Sequence, residues 1–246
     1  MTSIFSYGSN SINQLRGRIG NPSLHAAPAY LYDWSRIFCY RAPRWGNGGV
    51  ASLAPHDGAR TLGSLVQLDD HELHILDGFE RGYIRQEVDV FLPNTNEIQR
   101  SNVYIATDPT WYEPPSEEYL TAIHVMLREQ HRDVGPIPIN RLHSNGVVET
   151  LLDWHHPGPA KLSLPSLVVE VNARRRSPWT MPHVIEDIVK GLEELNIKTT
   201  EEFINFLRVD DCHAMIKQRR PEAESTTVHL DDEAVDLFKL LLGPTA

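Results

Sequence analysis

Cysteine is almost absent: Cys39 and Cys212 are the only two in 246 residues. Two cysteines cannot build a disulfide framework or a cysteine-rich zinc site, and they point to a reducing, cytoplasmic setting. Long apolar runs are missing as well. No stretch reaches the roughly 18 consecutive apolar residues that a membrane-spanning helix needs. The opening residues, Met1-Thr2-Ser3-Ile4-Phe5-Ser6-Tyr7, show no basic segment followed by an apolar run, so no secretory signal is expected. Positive charge is scarce: 23 Lys and Arg stand against 33 Asp and Glu, a formal net charge of −10. Such a balance repels phosphate backbones and argues against nucleic acid as a main partner. Several catalytic signatures are absent too: a His-Glu-x-x-His pair, a Gly-x-Ser-x-Gly elbow, and a P-loop with its lysine.

What remains is ordinary globular composition, 41% hydrophobic and 23% charged, in a chain long enough for one large domain or for a domain with a sizeable extension. The first ~140 residues show short β-type runs at Ile4–Tyr7, Ala29–Tyr40, Val50–Ala54, Thr61–Leu68, Gln86–Leu92 and Ile98–Ala106. Turn clusters separate them at Gly46-Asn47-Gly48-Gly49, Pro55–Gly58 and Pro93–Asn96. Two helices interrupt the pattern, one opening at Asp69-Asp70-His71-Glu72 and one at Pro114-Pro115-Ser116. Many short strands with a few helices predict an α+β fold: a small mixed β-barrel with flanking helices, not a doubly wound parallel sheet. Past the proline-rich Gly135–Pro138 segment comes one apolar strand candidate, Ser166–Val171. Helical periods follow over Pro182–Leu195, Thr200–Leu207 and Asp231–Leu242, with a surface linker at Lys217–Thr227. The expected division is a barrel domain over residues 1–138 and a mainly helical extension over 139–246, packed on the first part or forming a small subdomain.

Three segments carry candidate chemistry. Tyr7-Gly8-Ser9-Asn10 runs from a strand into a loop of small residues whose N–H groups can form a nest for a carboxylate or an oxyanion. Glu80 sits in a helix-to-strand corner between Phe79 and Tyr83, where apolar surroundings suit an acid/base carboxylate, or where it simply pairs with Arg81 or Arg85. Tyr119 follows a prolyl helix start. Other residues attract a plainer interpretation. His71 and His74 lie one turn apart without a third metal ligand, His155-His156 is an exposed loop pair, and Arg174-Arg175-Arg176 is a solvated basic turn.

The ordered set Tyr7-Gly8-Ser9-Asn10, Trp45-Gly46-Asn47-Gly48-Gly49-Val50-Ala51-Ser52-Leu53, Gly63-Ser64-Leu65-Val66, Leu76-Asp77, Glu80, Tyr83 and Pro114-Pro115-Ser116 with Tyr119 resembles the gamma-glutamylcyclotransferase family and its AIG2-like relatives, from about Ile4 to about Ile137. The segment between Glu80 and Tyr83 is shorter than in the animal enzymes. The resemblance implies a cyclotransferase that releases 5-oxoproline from a γ-glutamyl amide when the substrate's α-amine attacks its own γ-carbonyl. It implies Glu80 as general acid/base, with Tyr7, Gly8, Ser9, Asn10, Tyr83 and Tyr119 binding the γ-glutamyl group. Because the nucleophile belongs to the substrate, no cofactor and no metal is implied, and the expected partner is a small γ-glutamyl compound. Two alternatives stand beside it: a non-catalytic module binding γ-glutamyl or carboxylate ligands, and an interaction protein whose function lies in the C-terminal extension. The leaving amine and the oligomeric state are not readable from the residues.

Overall fold

The computed structural model describes residues 1–176, 178–179, 183–207 and 231–242. Cys212 and the Lys217–Thr227 linker lie outside the described residues. By their contacts the residues divide into two units, Met1–His156 and Pro157–Ala246.

The first unit is a closed five-stranded barrel in the order β1-β3-β2-β4-β5. Its strands are β1 (Thr2–Ser6), β2 (Ala26–Ala42), β3 (Gly48–Leu68), β4 (Tyr83–Leu92) and β5 (Glu97–Ala106). All neighbours pair antiparallel except β1 and β5, which close the barrel in parallel at Ile4↔Asn102. The fold class therefore agrees with the expected mixed barrel. One detail differs: the predicted strands Val50–Ala54 and Thr61–Leu68 are a single element. Pairing steps from Tyr32↔Arg60 to Trp34↔Pro55, so the Pro55–Gly58 turn signal marks a bulge within β3 and not its end. Asp33 at φ 61 and Tyr40 at φ 55 mark the irregularities on β2. Bulges of this kind bend long strands enough for a small barrel to close.

The β2–β3 turn accounts for the Trp-Gly-Asn-Gly-Gly stretch. A 3₁₀ turn, Pro43–Trp45, leads into Gly46 at φ 61 and Asn47 at φ 60, two left-handed residues that suit a tight hairpin. Trp45 is fully buried, its ring 5.1 Å from that of Tyr119. Gly49 has no room for a side chain, because a Cβ there would fall on the Glu113 carbonyl; its N–H donates to the Pro114 carbonyl at 2.8 Å. The glycine pair and the Pro-Pro segment are thus two sides of one close approach.

Three helices belong to this unit. Helix α1 (Ile12–Ile19) is not among the sequence expectations, although Ser11 caps its start, accepting from the Gln14 N–H at 3.1 Å, and left-handed Gly20 closes its end. Helix α2 (Asp70–Phe79) opens on a reciprocal capping box between Asp69 and Glu72. Helix α3 (Glu117–Gln130) is capped by Ser116 and buries Tyr119, Ile123 and Leu127. A hairpin of β6 (Ile137–Leu142) and β7 (Val148–Trp154) follows, and it also belongs to the first unit. Its Asn140 amide donates to the Arg36 carbonyl on β2 at 2.6 Å. The contact division falls after His156 and not after Pro138, and residues 139–154 form most of a β-hairpin where a mainly helical extension was expected. His156 is not an exposed loop residue either: it stacks on His124 with ring centroids 4.3 Å apart.

The second unit is helical where described: α4 (Leu164–Asn172), α5 (His183–Glu194), α6 (Thr200–Leu207) and α7 (Asp232–Leu242). The strand expected over Ser166–Val171 is helix α4. A short apolar run does not distinguish a strand from a buried helix, whereas Ser163 as N-cap and Pro165 in the first turn favour the helix. The basic turn is solvated only in part: Arg174 and Arg176 are exposed, whereas Arg175 is buried, pairs with both oxygens of Asp231 at 2.8 and 2.7 Å, and stacks on Trp179.

Candidate active site

Strand β1 ends at Ser6, and the next four residues form a cavity wall. Tyr7, Gly8, Ser9, Asn10, Glu80, Tyr83 and Tyr119, all seven residues singled out from the sequence, line the same cavity, together with Arg44, Ala51 and Tyr104 among others. Its free volume is ≈ 60 Å³. The barrel brings these residues together because β1 pairs with β3, and α2 hands over to β4 through Glu80 and the left-handed Gly82.

Gly8 is not among the residues with positive φ. Glycine is needed there for space, since a Cβ would lie 3.1 Å from the Tyr119 hydroxyl. The Ser11 N–H folds back onto the Ser9 carbonyl at 2.8 Å, and the Ser6 hydroxyl donates to the Asn10 carbonyl at 3.0 Å. These bonds fix the loop while leaving the N–H groups of Gly8, Ser9 and Asn10 without a protein partner among the described residues. Unpaired backbone N–H groups on a cavity wall are available to an anion.

The tyrosine hydroxyls are tied to backbone. Tyr7 donates to the Tyr104 carbonyl, Tyr83 donates to the Ala51 carbonyl at 2.9 Å, and Tyr119 accepts the Ala51 N–H at 2.9 Å. Burial pushes the Tyr7 and Tyr83 phenols well above their ordinary value. It pushes Tyr119 up to about 12, the Ala51 N–H partly opposing the rise. All three stay neutral at physiological pH. They give the cavity a rigid wall, and Tyr119 retains a proton to donate.

Glu80 does not pair with Arg81 or Arg85. Arg85 goes to Asp77 at 3.2 Å. Instead the Asn10 amide donates to Glu80 Oε1 at 2.9 Å, and the Arg18 guanidinium lies 3.9 Å from the same oxygen. Arg18 also donates to the Asn10 amide oxygen at 2.8 Å and sits over the Phe79 ring at 4.9 Å. Its side chain is only 3% exposed, and burial brings its pKa down to about 10 although Glu80 opposes the shift. Asn10 thus serves as a bridge from a buried cation to the carboxylate. Arg18, Arg44 and Tyr104 were not anticipated. The Ser11 cap and Gly20 stop of α1, with Ile12, Leu15 and Ile19 on one face, were the signal that would have placed Arg18 in the last helical turn. Among the described residues no group of three or more His, Cys, Asp and Glu side chains gathers at metal-binding distances.

A barrel-mouth cavity with one fixed carboxylate, three neutral tyrosines and a loop of free N–H groups defines a small-molecule site equipped for proton transfer and anion stabilisation. Residues 4–121, just under half of the chain and all within the first unit, match the gamma-glutamyl cyclotransferase, AIG2-like family. Among solved structures the chain is similar to a gamma-glutamyl cyclotransferase (27% identity over 52% of this chain and 79% of that one, TM-score 0.46). It is also similar to an uncharacterized protein from Homo sapiens (27% identity, 52% and 78% covered, TM-score 0.45). A third is YkqA from Bacillus subtilis (20% identity, 50% and 46% covered, TM-score 0.40). No curated protein matches the chain. No described helix is long and apolar enough to cross a membrane.

Proposed function

We propose that the protein releases 5-oxoproline from a γ-glutamyl amide, with Glu80 as general acid/base. The observation that carries this is the Asn10–Glu80 hydrogen bond, which holds a carboxylate in the cavity beside the free N–H groups of Gly8–Asn10. The substrate's α-carboxylate and γ-carbonyl oxygen are anionic or become so, and both suit that loop. Glu80 takes a proton from the α-ammonium. The freed amine attacks the γ-carbonyl, and the resulting oxyanion is met by loop N–H donors. Glu80 then returns that proton to the leaving nitrogen as the C–N bond breaks, takes the extra proton left on the new ring nitrogen and passes it to the departing amine, which leaves as its ammonium, so no net proton is consumed on the protein. Ring closure is intramolecular, and correct folding of the substrate supplies much of the rate. Tyr7, Tyr83 and Tyr119 hold the γ-glutamyl chain in that folded form. A cytoplasmic setting suits a site that uses no thiol, with Cys39 buried and unpaired. Every residue in the mechanism belongs to the first unit.

The test is 5-oxoproline release from a panel of γ-glutamyl amino acids, γ-glutamyl amines and glutathione. Turnover by the wild type, abolished in a folded Glu80→Gln variant, supports the assignment. Wild-type turnover by Glu80→Gln overturns it. Binding of panel members without turnover by the wild type would identify a binding module instead.

A further inference from the structure

The first unit holds a second cavity, away from Glu80 and larger, with a free volume of ≈ 280 Å³. That is close to the lower end of the range typical of small-molecule sites, about 300–1,000 Å³. It lies where β2 and β3 meet the end of α3 and the segment leading into β6. Leu62, Leu127, Val134 and Ile137 give it a largely apolar wall.

Most polar groups at this wall are already paired. The Ser35 hydroxyl bonds His56 Nδ1 at 2.7 Å, and the Thr61 hydroxyl donates to the Trp34 carbonyl at 2.8 Å. The Asn140 amide donates to the Arg36 carbonyl and accepts from the Thr150 hydroxyl at 2.7 Å. Arg36 is the exception. It is 6% exposed and lines the cavity, and its guanidinium makes two bonds, Nε to the Tyr7 carbonyl at 2.8 Å and Nη2 to the Leu62 carbonyl at 3.0 Å. Nη1 and the second Nη2 proton have no partner among the described residues, and no carboxylate pairs with the group. A buried charge without a counter-charge is costly, and natural folds rarely keep one idle. Arg60, which stacks on Tyr30, and a single acid, Asp133, also line the cavity, so with Arg36 the local balance stays positive.

We propose that this cavity is a binding site for a small carboxylate with an apolar body, the carboxylate meeting the free Arg36 donors and the body filling the Leu62–Val134–Ile137 side. One guanidinium with two adjacent free donors suits the two oxygens of a carboxylate. The apolar wall excludes a fully hydrated inorganic anion. The same guanidinium holds the Tyr7 carbonyl, next to Gly8, so the ligand would be coupled to the loop of the first site through a single side chain.

Hexanoate and hexanamide, titrated into the full chain at low ionic strength and followed by calorimetry, test the proposal. Hexanoate should bind about 10–100-fold more tightly than hexanamide, the range expected for a charge-assisted bond. Arg36→Met should erase that preference. Should Arg36→Met fail to fold, Val134→Trp, which fills the cavity from outside the barrel, should abolish hexanoate binding while thermal unfolding stays cooperative. Equal binding of acid and amide, hexanoate binding that survives Val134→Trp, or inorganic phosphate binding as tightly as hexanoate would each overturn it.

Discussion

Arg18 and Arg36 are both buried guanidiniums, and burial brings each down to about 10. Their surroundings differ in one respect. Arg18 has a carboxylate nearby, Glu80, and is joined to it through the Asn10 amide. Arg36 has only backbone carbonyls, those of Tyr7 and Leu62. Both residues touch the Tyr7–Asn10 segment, one at its carbonyl and one at its terminal side chain. The first is spent on holding an acid in place. The second keeps donors to spare. A buried cation therefore has two uses in this barrel, and whether a carboxylate lies nearby tells them apart.

The largest effect expected on this contrast is at the acid itself. Glu80→Gln keeps the Asn10 amide's acceptor and removes the proton carrier, so kcat should fall by at least about 10²-fold, the lower range for a general acid/base, with little change in unfolding temperature. Arg18→Met comes next. It leaves a 14%-exposed carboxylate without its cation and frees the Asn10 side chain, and should cost about 3 kcal/mol of stability. Because Arg18 positions Glu80 without touching substrate, kcat should drop about tenfold while KM changes little. A rise in KM at constant kcat would make Arg18 a substrate contact and dissolve the contrast. Arg36→Met should be milder, about 1–2 kcal/mol by thermal denaturation, since it strands two carbonyls but also removes an uncompensated charge. If Arg36→Met proves the more damaging of the two, the guanidinium is a structural anchor and its free donors have no separate role.

How far such contrasts could be read from the residues alone follows from how the barrel is wired. Glu80 and Tyr7–Asn10 were legible because each sits in a local motif, a helix-to-strand corner and a strand-to-loop passage. Their pairing was not, since Asn10 and Glu80 meet across 70 residues of chain. Glu80's salt partner was sought at Arg81 and Arg85, its near neighbours in sequence, and was found on α1 instead. The strands of the barrel were legible from alternation, but the β6–β7 hairpin was hidden by Pro136, Pro138 and a polar Asn140, residues that ordinarily argue against strand. Helix α4 was mistaken for a strand because an apolar run of six carries no period. The second cavity had no signature at all: Arg36 lies in an alternating strand, where a charged residue reads as outward-facing, and only barrel closure turns it inward.

The smallest expected effect concerns the other end of the helix that carries Arg18. Glu129 of α3 accepts the Ile12 N–H at 2.9 Å, at the start of α1, so α1 is held by a carboxylate at each end. Burial raises Glu129 to about 7, the Ile12 N–H and Arg16 opposing the rise. The sign of the pH dependence follows from that direction. Below about pH 4.5 the group is protonated in both folded and unfolded chains and contributes no pH dependence. Between 4.5 and 7 the unfolded chain has released the proton and the folded one still holds it, so stability falls as pH rises. Above 7 both are ionised and the loss is complete. Glu129→Gln mimics the protonated form and keeps an acceptor for Ile12, so it should leave stability at pH 5 nearly unchanged and raise it at pH 8 by on the order of 1 kcal/mol, allowing for partial exposure. Denaturant titrations at the two pH values would measure the difference. An equal change at both would mean that Glu129 is ionised throughout and that the N-terminus of α1 is stabilised by its charge. In that case α1 would be clamped by charge at both ends, in contrast to Arg36, whose guanidinium bonds only the Tyr7 and Leu62 carbonyls.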